Sequence, residues 1–105
     1  MRVDKKTEHL YEAVLSLRNI AECKRFFRDL LTEPEIKEFS NRWQVAQMLY
    51  TKEPYEKITK ATGMSSTTIA RISKWLNGKL EGYKFMLERI NNQNKDVHHT
   101  RLLAV

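Results

Sequence analysis

Thr67, Arg71 and Lys74 follow one another at intervals of four and three in the run Pro54-Tyr-Glu-Lys-Ile-Thr-Lys-Ala-Thr-Gly63-Met-Ser-Ser-Thr-Thr-Ile-Ala-Arg71-Ile-Ser-Lys-Trp75. On a helix turning about 100° per residue, they share one side with Ala70. Ile69, Ile72 and Leu76 fall opposite, within an arc of about 60°. Short side chains let a helix approach a duplex closely. Hydroxyls can meet base edges or phosphates, and an arginine can bond guanine through two N–H groups. Ser65, Ser66, Thr67 and Thr68 stand at the start of the same helix, where free backbone N–H groups suit phosphate. Lys57 and Lys60 lie one element earlier and could hold the nucleic-acid backbone. The chemistry this pattern allows is nucleic-acid binding, carried by Lys57, Lys60, Ser65, Ser66, Thr67, Thr68, Ala70, Arg71 and Lys74.

Such a face needs elements to aim it. Residues 54–62 carry Tyr55, Ile58 and Thr62 at helical spacing, Gly63 breaks the helix, and Ser65 can cap a second helix over 66–76. That is a helix-turn-helix over 54–76, with Ile58, Met64, Ile69 and Ile72 apolar where the helices must pack. Gly63 supplies a turn conformation that residues with a Cβ adopt at a cost. Upstream, Leu10, Val14 and Leu17 predict a first helix over 8–18. Asn19 with Glu22 forms a capping box for a second, with Ile20, Cys23, Phe27 and Leu30 on one face. Thr32 with Glu35, and Pro34 in the first turn, open a third that runs to about Tyr50. Its inward set is Ile36, Phe39, Trp43, Ala46 and Tyr50. A sixth helix holds Tyr83, Met86, Leu87 and Ile90, and the polar run after Asn91 reads as a C-terminal tail over 92–105.

Composition agrees with an all-α chain. Only 3 Gly and 2 Pro occur in 105 residues, too few for the turns of an all-β fold. Apolar residues are 41% and charged residues 30%, enough for a packed core. One helical domain is expected over 1–91. The net charge is +6, of which residues 54–84 carry +4 through Lys57, Lys60, Arg71, Lys74, Lys79 and Lys84 against Glu56 and Glu81. A basic surplus in the helix-turn-helix region fits a phosphate-binding surface. No apolar run is long enough to span a membrane, and the charged N-terminus has no apolar segment behind it, so no signal peptide is expected. A single cysteine, Cys23, makes no internal disulfide, and the cytoplasm is the expected compartment.

Other chemistries find less support. Glu33, Glu35 and Glu38 sit in the first turns of a helix, where carboxylates compensate the dipole. Cys23, His9, His98 and His99 lack metal-ligand spacing. Trp43 reads as core and Trp75 as semi-buried packing. No converging acid, base and nucleophile can be named, so the chain is not expected to be an enzyme.

Two stretches carry a resemblance. Leu31-Thr-Glu-Pro-Glu-Ile-Lys-Glu-Phe-Ser-Asn-Arg-Trp43 and Ile58-Thr-Lys-Ala-Thr-Gly-Met-Ser-Ser-Thr-Thr-Ile-Ala-Arg71 look like the Trp repressor family, most like its YerC/YecD-type branch, over about residues 8–91. The resemblance implies a six-helix Trp-repressor-like fold and an intertwined homodimer, its core built from about 8–50 and 82–91. It also implies a sequence-specific transcriptional regulator, a repressor, on palindromic double-stranded DNA. Two recognition helices would meet major grooves about 34 Å apart. The family's effector pocket maps onto Thr32, Arg42, Thr68 and Arg71. Ile72 and Trp75 stand where its tryptophan-binding members carry small residues. L-tryptophan is therefore not the expected corepressor, and the identity of any small-molecule effector stays open. The alternative is a helix-turn-helix protein-interaction module docking on the transcription machinery, against which the polar Thr/Ser/Arg/Lys face argues.

Overall fold

The computed structural model describes residues 4–78 and 82–104, with side chains for 4–78 and 82–94. Lys79 and Glu81, counted in the charge above, lie outside the described residues, as do the side chains of His98 and His99. Among the described residues six helices follow in order: α1 Lys5–Leu15, α2 Ile20–Leu30, α3 Glu33–Tyr50, α4 Tyr55–Thr62, α5 Ser66–Leu76 and α6 Gly82–Ala104. The chain divides into two compact units, residues 1–38 and 39–105, with the division inside α3.

In the first unit, local capping decides where helices begin. The Asp4 side chain accepts the Thr7 backbone N–H at 2.9 Å and the Thr7 hydroxyl at 3.0 Å. This starts α1 at Lys5, three residues before the expected start, and it ends at Leu15 rather than at residue 18. Asn19 Oδ1 accepts the Glu22 N–H at 2.9 Å, and Glu22 Oε1 accepts the Arg18 N–H at 2.9 Å. That is the expected box, closed one residue further back than its usual form. At α3 the Thr32 N–H and hydroxyl both donate to Glu35 Oε1 at 2.9 Å, while Thr32 Oγ1 accepts the Glu35 N–H at 3.3 Å. Phe26 and Phe27 meet edge to face, with centroids 5.5 Å apart. Neither α1 nor α2 has a buried residue. Val14, Ile20 and Leu30, expected on inward faces, are exposed, Ile20 to 74%.

The second unit holds the core. Val45, Ala46, Ile58, Met64, Ile69, Ile72, Leu76 and Leu87 are buried together, with Trp43, Met48, Leu49, Tyr50 and Tyr83 packed against them. Helix α4 packs on α5, and α5 on α6. Trp43 and Tyr83 stack with centroids 6.3 Å apart, joining α3 to α6. Phe39, expected inward on α3, is exposed.

The turn between α3 and α4 has a form the sequence does not advertise. The Lys52 N–H donates to the Leu49 carbonyl at 3.0 Å, and the Glu53 N–H to the Met48 carbonyl at 2.9 Å. This pair of bonds is a Schellman motif, whose turning residue is usually glycine. Here it is Lys52, at φ 61°. Pro54 then serves as the N-cap of α4 rather than its first residue. Helix α6 runs on to Ala104, so residues 92–104, expected as a tail, are helical. No Gly or Pro follows Gly82, and polarity alone does not end a helix.

Candidate nucleic-acid interface

The helix-turn-helix is assembled around one buried hydroxyl. Thr62 Oγ1 donates to the Ile58 carbonyl at 2.8 Å and accepts the Met64 N–H at 3.2 Å. The second bond satisfies the Met64 N–H in a buried turn, where an unpaired one would cost about 1–3 kcal/mol. Gly63 follows at φ 70°, its N–H donating to the Thr59 carbonyl at 2.8 Å. The sequence pattern assigned Thr62 only to an apolar spacing. A threonine one residue before the capping glycine was the available signal for its second role.

Beyond the turn, Ser65 Oγ caps α5 by accepting the Thr68 N–H at 3.2 Å, and it donates to Thr68 Oγ1 at 3.1 Å. These two hydroxyls therefore organise the helix start. Ser66, Thr67, Ala70, Arg71 and Lys74 are all exposed, and Thr68 is half-buried. Ile69, Ile72 and Leu76, on the same helix, are buried. One face of α5 is thus locked into the core, which fixes the direction in which the other projects. On α4, Lys57 and Lys60 are exposed, and Lys57 Nζ lies 3.1 Å from Glu53 Oε2.

The residues matched to an effector pocket are spread over both units. Thr32 belongs to the first, where its hydroxyl is used by the α3 cap. Arg42, Thr68, Arg71, Ile72 and Trp75 belong to the second. The Arg42 guanidinium lies over the Phe39 ring, 5.9 Å from its centroid. Ile72 is only 1% exposed and belongs to the core, whereas Trp75 is 38% exposed. Among the described residues, two carboxylates are shifted in their titration. The Thr32 backbone N–H, then its hydroxyl, hold Glu35 below its ordinary value of 4.5. The Thr7 backbone N–H and hydroxyl do the same to Asp4. Among the described residues, no group of His, Cys, Asp and Glu could hold a metal ion, and no helix is long and apolar enough to cross a membrane.

A core-locked helix that turns hydroxyls and cations outward, set behind a short helix and a glycine turn, defines a helix-turn-helix regulator of the DNA-binding class. The Trp repressor protein family matches residues 5–91. The chain is 38% identical over 94 residues to the uncharacterized protein YerC of Bacillus subtilis strain 168, covering 86% of this chain and 90% of the relative. A TrpR-like protein from Eubacterium eligens superposes with a TM-score of 0.79 at 38% identity, over 84% of this chain and 91% of that one. A candidate Trp repressor from Staphylococcus aureus does so with the same TM-score at 36% identity, over 85% and 89%. The chain belongs to the Trp repressor family.

Proposed function

We propose that this protein is a sequence-specific transcriptional repressor that binds a palindromic operator as a homodimer in the cytoplasm. The observation that carries the reading is the division of α5. Ile69, Ile72 and Leu76 are buried, while Ser66, Thr67, Ala70, Arg71 and Lys74 face solvent. In this reading Arg71 and Thr67 read base edges, Lys74, Lys57 and Lys60 hold phosphates, and Ser65 and Thr68 dock the helix start. Repression follows from occlusion: a protein seated in successive major grooves of a promoter excludes polymerase from the same duplex. The dimer is supported by large apolar side chains exposed on the single chain, among them Tyr11, Ile20, Leu30, Phe39 and Phe85.

The test is a mobility-shift titration with duplexes selected from random DNA. Lys74→Ala is expected to weaken every duplex similarly and to reduce the slope of log affinity against log salt by about one unit. Thr67→Ala and Arg71→Ala are expected to change which duplexes are selected. If all three variants match the wild type, α5 is not the recognition helix.

L-tryptophan is not the corepressor in this reading. Isoleucine at 72 and tryptophan at 75 put bulk on α5 beside Thr68 and Arg71, where a planar indole would need room. Calorimetry with L-tryptophan is expected to give no saturable heat. Saturable micromolar binding would reverse the assignment.

A further inference from the structure

The ion pair between Glu53 and Lys57 puts an acid against one of the cations assigned to the duplex backbone. The backbone that carries this acid is well anchored. The Schellman bonds at Lys52 and Glu53 fix the backbone, with Lys52 held at φ 61°. Pro54 then restricts Glu53 to extended conformations. From this mount Glu53 Oε2 reaches Lys57 Nζ at 3.1 Å, in the first turns of α4. The two side chains differ in access: Glu53 is 32% exposed and Lys57 is 63% exposed. A phosphate can approach the ammonium, but the acid beside it is the more sheltered of the two.

We propose that Glu53 is a built-in electrostatic brake on DNA binding, a positioning residue that restrains Lys57 and opposes the phosphate that would take it. The inference rests on the DNA-binding reading above and adds a residue that works against it. A phosphate that takes Lys57 must either displace the carboxylate or share the ammonium with it. In the shared case two anions lie within a few ångströms of each other, and like charges at that distance repel. Before contact, the carboxylate cancels the long-range pull of Lys57 on any duplex. The effect falls on a phosphate contact, which carries no base information. Affinity is therefore lowered for all duplexes alike, and the protein depends more on the α5 contacts that read sequence.

Glu53 also lies just ahead of the α4 N-terminus, where a negative charge supports the helix dipole. The two roles predict opposite results. A residue that only supports α4 loses DNA affinity when neutralised, because the helix that carries Lys57 and Lys60 is loosened. A brake gains it.

The experiment is a salt series of mobility shifts on a random-sequence duplex, comparing the full-length wild type with Glu53→Gln, Lys57→Ala and the double variant. Urea midpoints are measured on the same samples. Glu53→Gln is expected to tighten binding about two- to fivefold, the range of an exposed ion pair. It is also expected to steepen the salt slope by up to about one unit. Both gains are expected to vanish in the Lys57→Ala background. Unchanged or weaker binding by Glu53→Gln, or a gain that persists without Lys57, overturns the brake while leaving the DNA-binding assignment intact. Failure of the wild type to bind any duplex at low salt overturns both.

Discussion

Glu35 accepts two hydrogen bonds from Thr32, and the stability they lend depends on its charge. The Thr32 backbone N–H and hydroxyl favour the carboxylate, so its folded pKa lies below the ordinary value of 4.5. A carboxyl depressed in this way contributes stability above its unfolded pKa and loses it as pH falls through the folded one. The start of α3 is therefore expected to loosen progressively below pH 4.5. Thr32→Ala removes one of the two donors. It should raise the Glu35 pKa part of the way back and flatten the acid limb of a urea-midpoint series. Carbon-detected NMR titration of the Glu35 carboxyl reads the shift directly; an unchanged pKa in the variant would mean that the hydroxyl contributes nothing. This cap was legible in the sequence because Thr32, Pro34 and Glu35 are close neighbours with fixed roles. Outward projection of Thr67, Arg71 and Lys74 was legible for a similar reason, since one helical period and three isoleucine or leucine positions determine it. The Glu53–Lys57 pair was not. It joins a turn to a helix, and no helical wheel places a residue that lies outside the helix.

Two turns in the second unit use the same left-handed backbone with different residues, and this sets up a comparison between elements. Gly63 ends α4 at φ 70°, and a Cβ built there meets nothing within 4 Å. Gly63→Ala should therefore cost only the backbone term, about 1 kcal/mol. Lys52 ends the α3 turn at φ 61° with a Cβ already present. Lys52→Gly removes that penalty but frees the unfolded chain, so a gain of up to about 1 kcal/mol is expected. Urea denaturation at one protein concentration checks both, with m unchanged. Equal signs for the two substitutions would contradict the assigned conformations. The boundaries of α5 were readable because Ser65 and Gly63 are strong local signals on either side of the turn. The Schellman turn was hidden because a lysine in place of glycine leaves no mark in the sequence. The extension of α6 to Ala104 was hidden for the opposite reason: a run of Asn and Gln suggests a tail, yet nothing in it breaks a helix.

At the scale of the whole molecule the question is what covers the apolar side chains that one chain leaves open. Leu15 is 84% exposed, Ile20 74% and Phe85 55%, and no residue of α1 or α2 is buried. The expected stripe of α2 lies along that helix, whereas Leu17 of the first expected stripe falls beyond the end of α1; a pattern in one sequence does not say whose surface will meet it. A second copy is the proposed cover, and it would supply the second α5 that a palindromic site requires. Ile20 is the informative position, because it carries no hydrogen-bonding role beyond the α2 backbone and a glutamate there adds a charge to the apolar face. Wild type is expected to sediment as a dimer at micromolar concentration, with a melting temperature that rises with concentration. Ile20→Glu should sediment as a monomer and lose that concentration dependence. It should also bind a palindromic duplex much more weakly, since two half-site contacts made by linked subunits become two independent ones. On a duplex with a single half-site, the wild type and the variant should differ far less. A variant that stays dimeric with undiminished affinity would show that α2 lies outside the subunit interface, and a wild type that sediments as a monomer would remove the palindrome from the proposed function.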